Sequence, residues 1–95
     1  MTDSTYTLIN KEDISKLHFP ATEILANDSQ ISSRNEAIQR AIALGNLEHH
    51  KVTIYFSDNL GKKRVETTIW AVTDSAIVLK QNTVLPINRI HKLEI

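Results

Sequence analysis

Glu48-His49-His50 is the densest group of metal-ligating side chains in the chain, and His91 stands in the β-rich half that follows it. A metal site needs several such groups converging on one ion. Neighbouring histidines on an extended backbone point to opposite sides, so at most one of His49 and His50 can join His91. These histidines, and His18 before Phe19-Pro20, therefore read as solvated linker residues, and no metal is expected. Nucleophilic chemistry has even less to stand on. There is no Gly-x-Ser-x-Gly elbow, no pair of carboxylates at catalytic spacing, and only two glycines, Gly45 and Gly61, too far apart to cradle a phosphate. The residue types point to a protein that is not an enzyme and needs no cofactor.

The remaining chemistry is recognition. Lys51, Tyr55, Lys62, Lys63 and Arg64 lie on or beside one expected hairpin. Basic residues interleaved with an outward aromatic ring are what a nucleic-acid surface requires. The same residues serve equally as a solvated hairpin whose charges keep an edge strand from pairing. Trp70, the only tryptophan, falls where one face of a strand turns from charged to apolar, and it is expected to be partly exposed.

The element that positions these residues is a run of short β segments from Lys51 to Ile95. Val52, Ile54 and Phe56 alternate with Lys51, Thr53 and Tyr55, the period of a strand with one buried face. Tyr55 is thereby expected to point outward. Asp58-Asn59-Leu60-Gly61 marks a turn, with Gly61 expected at positive φ. Val65 to Thr73 reads as a long bent second strand that serves two sides of a curved sheet. Ala76 to Lys80 is the third strand and Thr83-Val84-Leu85 a short fourth, ended by Pro86. Ile87 to Ile90 fits one helical turn before a last strand at His91 to Ile95, with Leu93 and Ile95 inward.

Ahead of this run, Met1 to Thr5 reads as frayed, Tyr6 to Ile9 as a short strand added to a sheet edge, and Asn10 to Leu17 as a helical turn. Ala21 to Ser32, with Asn27-Asp28-Ser29, reads as loop. Ser33-Arg34-Asn35-Glu36 has capping-box spacing, which predicts a helix over 33–47. Its apolar stripe is expected to press Ile38, Ile42 and Leu47 onto an open end of the sheet, with Gly45 as the left-handed C-terminal residue.

Ninety-five residues make one domain with a modest core, here residues 1–95: an irregular segment over 1–32, the helix over 33–47, and the β unit over 51–95. The absence of cysteine excludes disulfides and thiolate metal sites. No apolar run is long enough to span a membrane or form a signal-peptide core, so a cytoplasmic location is expected. Eleven acidic and eleven basic residues cancel overall. They are unevenly placed, with four basic against seven acidic up to Glu48 and seven against four from His49 onward.

A helix leading into five short bent strands, with Ser33 to Leu47, Val52-Thr53-Ile54-Tyr55-Phe56, Gly61, Ala76-Ile77-Val78-Leu79 and Leu85-Pro86-Ile87-Asn88-Arg89-Ile90 as the matching pieces, resembles the Sm-like barrel. The chain is also similar to short bacterial proteins with a closing Leu-Pro-Ile-x-Arg-Ile segment, and more loosely to Rho-binding antiterminators. The resemblance implies an α+β fold in which an N-terminal helix precedes a strongly bent five-stranded antiparallel sheet forming an Sm-like or SH3-like barrel. Sm proteins carry Asp and Asn just ahead of the third strand's apolar pair, where this chain has Val72 and Ala76, so no base-contacting residue is carried over. The expected function is a small bacterial binding or regulatory module. It would act on a protein partner or on its own copies as a homo-oligomer, with RNA binding through the basic hairpin as the alternative and a metal-dependent or hydrolytic enzyme last.

Overall fold

The computed structural model of the protein describes residues 5–95. The expectation of a frayed start falls, up to residue 4, outside the described residues. Among the described residues the fold is α+β: one helix, α1 (Asp28–Glu48), and seven strands in two sheets.

The strands are β1 (Thr7–Leu8), β2 (Val52–Ser57), β3 (Lys62–Thr67), β4 (Ile69–Val72), β5 (Ala76–Leu79), β6 (Val84–Pro86) and β7 (Ile90–Glu94). One sheet has the order β1-β3-β2-β7 and the other β4-β5-β6. All neighbours are antiparallel except β1, which lies parallel to β3 with Thr7 opposite Lys63. The residues expected in one bent second strand thus divide at Thr68, β3 in the first sheet and β4 in the second. A 3₁₀ turn at Ile87–Arg89 makes the matching corner between β6 and β7.

Both corners are tied by side chains. Thr68 Oγ1 donates to His49 O across the first. At the second, Arg89 Nε donates to Ser57 O at 3.1 Å and Nη1 to Thr22 O at 2.9 Å, so one nearly buried guanidinium joins β2, the corner and the segment before α1. A guanidinium carries five donors in a rigid fork, which suits it to holding three backbone segments together.

Inside, Ile54, Phe56, Val65, Ile69, Ile77, Leu79, Leu85 and Ile90 form a core with Ile14 from a 3₁₀ turn (Lys11–Lys16) and with Ile38 and Ala41 from α1. Helix α1 begins five residues before the expected start, because Asn27 and not Ser33 is the cap: Asn27 Oδ1 accepts from the amide of Gln30 at 2.9 Å. Its buried stripe runs Arg34, Ile38, Ala41, Gly45, the four-three-four spacing of a helix face. Leu47, expected in that stripe, is 81% exposed.

Several expectations are corrected. The sheet is not five-stranded and the barrel is not closed, and the helix is not N-terminal but follows β1 and a 3₁₀ turn. Alternation along a strand shows which side chains are hidden. It does not show whether two strands share hydrogen bonds or belong to different sheets, and here the chain passes at Thr68 and Ile87–Arg89 between two sheets that share one core. Ala21 to Ser32 is not all loop, since its last residues are helical. Gly45 lies within α1, and the left-handed residue after the helix is His49 (φ 54°, ψ 34°). Neither glycine has positive φ. The turn at Asp58 is held instead by its carboxylate, whose Oδ1 accepts from the amides of Leu60 and Gly61 and from Lys63 Nζ. Ile95, expected inward, is 43% exposed.

Candidate functional site

The basic hairpin is occupied with internal work. Tyr55, expected outward, is 3% exposed, because the ring of Tyr6 covers it edge-on at 4.8 Å between centroids. It does point to the outer face of its sheet, but the added strand β1 brings Tyr6 over it. Lys62 Nζ sits 5.6 Å from the Tyr6 ring centre and Lys92 Nζ 4.8 Å from that of Tyr55, within cation–π range. Arg64 Nε donates to Tyr6 O, and Ile9 N to Arg64 O, so Arg64 fastens β1 to β3. Lys63 pairs with Asp58 at 2.9 Å. Burial raises the Asp58 pKa, but Lys63 and the amides of Leu60 and Gly61 outweigh it and hold the carboxyl below its ordinary value. Lys51 stands apart from these residues, in a cleft beside Trp70.

Among the described residues, the one nucleophile-to-base contact is Ser57 Oγ to His91 Nε2, 2.6 Å. Burial lowers the pKa of His91, and the charges of Lys62 and Arg89 lower it further, so the ring is neutral at neutral pH. A serine hydrolase needs its imidazole stabilised as imidazolium while the nucleophile attacks, usually by a carboxylate. Here the neighbouring charges are cations, which oppose that state, and the Tyr6 ring lies 5.6 Å away. The contact tethers β2 to β7. No group of three or more His, Cys, Asp or Glu side chains suited to a metal ion occurs among the described residues.

Strand β7 is an edge of its sheet. Its inner flank pairs with β2, Leu93 opposite Ile54 and Lys92 opposite Tyr55. Along it runs a groove of about 380 Å³ between the strand and the first half of α1, lined by His91, Lys92 and Leu93 on one side and by Leu25, Ser29, Gln30, Ser33, Arg34 and Ala37 on the other. Arg34 anchors the head of this groove. It is 4% exposed, grips Glu23 with both terminal nitrogens, and donates from Nη1 to Ile90 O at 3.1 Å. That grip, through its hydrogen bonds first, holds the Glu23 carboxyl down at about 2 against an ordinary 4.5. The Nε of Arg34 is buried without a hydrogen-bond partner among the described residues. A second cleft, about 650 Å³, opens beyond the same pair toward Asp74, Ser75 and Asn88.

The edge groove escaped the sequence reading because Leu25, Ser29 and Gln30, which line it beside Ser33, Arg34 and Ala37, stood in the stretch read as loop. Asn27 three residues before Gln30, a cap spacing in its own right, was the signal that could have found it. Among the described residues, no helix is long and apolar enough to cross a membrane. No family model, no curated protein and no solved structure matches the chain.

Proposed function

We propose that this protein is a non-catalytic binding module that joins protein to protein by strand addition at β7, its own copies first. The observation that carries the reading is an edge strand lying beside a helix with a groove between them. An extended segment laid along β7 takes up backbone hydrogen bonds from the strand, while its alternate side chains drop toward α1; main-chain bonding supplies affinity and the groove supplies selectivity. Of the usual protections the edge lacks proline and keeps charged side chains, Lys92 and Glu94, and an irregularity in its pairing with β2. The cations around His91 support a role without catalysis. The bend at Thr68 and the helical turn before β7 support kinship with Sm-like or SH3-like small barrels, in a form whose two sheets stay separate.

The test is solution mass together with proline substitution. Successive backbone N–H groups of a strand point to opposite sides, so in Lys92→Pro and Leu93→Pro one variant loses a bond to β2 and the other loses only an outward donor. The wild-type protein should gain mass with concentration from the micromolar to the millimolar range by light scattering. The proline variant that keeps the wild-type circular dichroism spectrum should remain monomeric throughout. A wild-type protein that stays monomeric over that range overturns the self-association reading.

A further inference from the structure

Trp70 is nearly half exposed, and it sits at an irregularity in β4, where the pairing with β5 passes from Ile69–Leu79 directly to Ala71–Val78. Such a bulge takes a side chain out of the regular alternation and re-aims it, which is why bulges recur beside binding sites. The indole borders two clefts. One, about 280 Å³, is walled by the end of α1 through Gly45, Asn46 and His49. The other, about 320 Å³, is lined by Lys11, Lys51, Lys80, Glu66 and His49 together with Trp70, and by the buried Thr67 and Thr68.

The residues around the ring are held in place from below. A Cβ on Gly45 would lie 2.6 Å from Ile69 O, so α1 rests directly on the backbone next to Trp70. His49, left-handed at the end of α1, accepts at its carbonyl from Thr68 Oγ1. Three lysines against one glutamate leave the second cleft positive. Lys11 is 3.3 Å from Glu12, but neither Lys51 nor Lys80 has a carboxylate at ion-pair distance among the described residues.

We propose that this cleft binds a nucleotide unit, a planar base carrying phosphate, with the base stacked on Trp70 and the phosphate neutralised by Lys51 and Lys80. An accessible indole beside uncompensated ammonium groups offers both halves of that ligand a partner: a π face for the base and point charges for the phosphate. The volume falls at the lower end of the roughly 300–1,000 Å³ of small-ligand sites, enough for one such unit. The unit comes either from a free mononucleotide or from one residue of a single strand. None of the residues lining this cleft lines the β7 groove, so the two proposals stand or fall separately.

Because Trp70 is the only tryptophan, its fluorescence reports stacking directly. The wild-type protein is titrated with adenosine monophosphate and, separately, with a short single-stranded oligoadenylate, at low and at moderate salt. Quenching by both identifies the free nucleotide as a sufficient ligand, and quenching by the oligonucleotide alone identifies the strand. In either case Lys51→Glu/Lys80→Glu should weaken binding at least about tenfold and flatten its salt dependence, since each lost phosphate contact reduces the salt slope. Trp70→Ala, followed by anisotropy of a labelled oligonucleotide or by calorimetry with the mononucleotide, should weaken binding by about tenfold. All three positions are exposed, and circular dichroism confirms that each variant is folded. Absence of quenching by either ligand at low salt overturns the proposal, and so does quenching that the double charge reversal leaves unchanged.

Discussion

Gly45 is the position where one hydrogen atom in place of a methyl group decides how close two elements come. In the middle of a helix glycine costs about 1 kcal/mol relative to alanine, yet here a methyl group would meet Ile69 O at 2.6 Å and Thr68 Cγ2 at 2.9 Å. A backbone carbonyl cannot swing aside, so the helix would have to lift off β4. Overpacking of this kind costs about 1–3 kcal/mol, which exceeds or cancels the gain in helix propensity. Gly45→Ala should therefore lower stability by about 1 kcal/mol in urea unfolding, against the sign expected for an exposed helix interior. It should also shift the emission of Trp70, whose cleft wall it moves. Sequence alone places Gly45 at a helix end, the commonest use of glycine near one; only the approach of β4 shows the other use. Tyr55 makes the same point in reverse. Its outward direction follows from alternation, whereas its burial depends on Tyr6, forty-nine residues away in sequence.

At the scale of the element, α1 separates two readings of one stretch. Ser33 and Glu36 have the spacing of a capping box, and Asn27 and Gln30 have the geometry of a cap that is made. Asn27→Ala removes that acceptor from the first turn and should cost about 1 kcal/mol. Ser33 is exposed within the helix, so Ser33→Ala should change stability by no more than about 0.5 kcal/mol. Thermal unfolding of the two variants checks the pair, and equal losses would contradict the helix start. Five more residues at the start of the helix matter functionally, because Ser29 and Gln30 among them line the groove along β7. The strands divide in the same way. Val52 to Ser57 and Ala76 to Leu79 are plain from their alternation, while the parallel pairing of β1 with β3 rests on contacts such as Arg64 to Tyr6 that no local pattern announces.

For the whole molecule, ionisation links the corners of the fold to pH. His91 titrates below its ordinary 6.5 in the folded state, so the unfolded chain takes up a proton first and stability falls as pH drops below that value. Glu23 titrates at about 2 in the fold against 4.5 ordinarily, so the stability that it contributes is complete above the ordinary value and is lost as pH falls from there toward 2. Two descending steps separated by a shallower region are expected when unfolding midpoints are plotted against pH. His91→Gln should remove the upper step, and Glu23→Gln should reduce the lower one to the part that Asp58, also held below its ordinary value, contributes. Glu23→Gln should also lower stability at neutral pH by about 3 kcal/mol, because the nearly buried Arg34 is left without its counter-ion. A single unbroken decline that neither variant alters would refute the assignment.

What the sequence by itself determined is local. Period-two alternation marks the strands after Lys51, the cysteine and glycine counts rule out disulfides and a phosphate loop, and the α+β class follows from one helix beside many short strands. What only the tertiary structure decided is everything that depends on distant parts of the chain meeting. The two-sheet arrangement, the covering of Tyr55, the groove beside β7 and the gathering of Lys11, Lys51 and Lys80 around Trp70 are all of this kind. The reason is physical: a side chain's preference for water or core is written in its own chemistry, but its neighbours across a fold are set by where the backbone bends, and the bends at Thr68 and Arg89 are held by hydrogen bonds to residues far away in sequence.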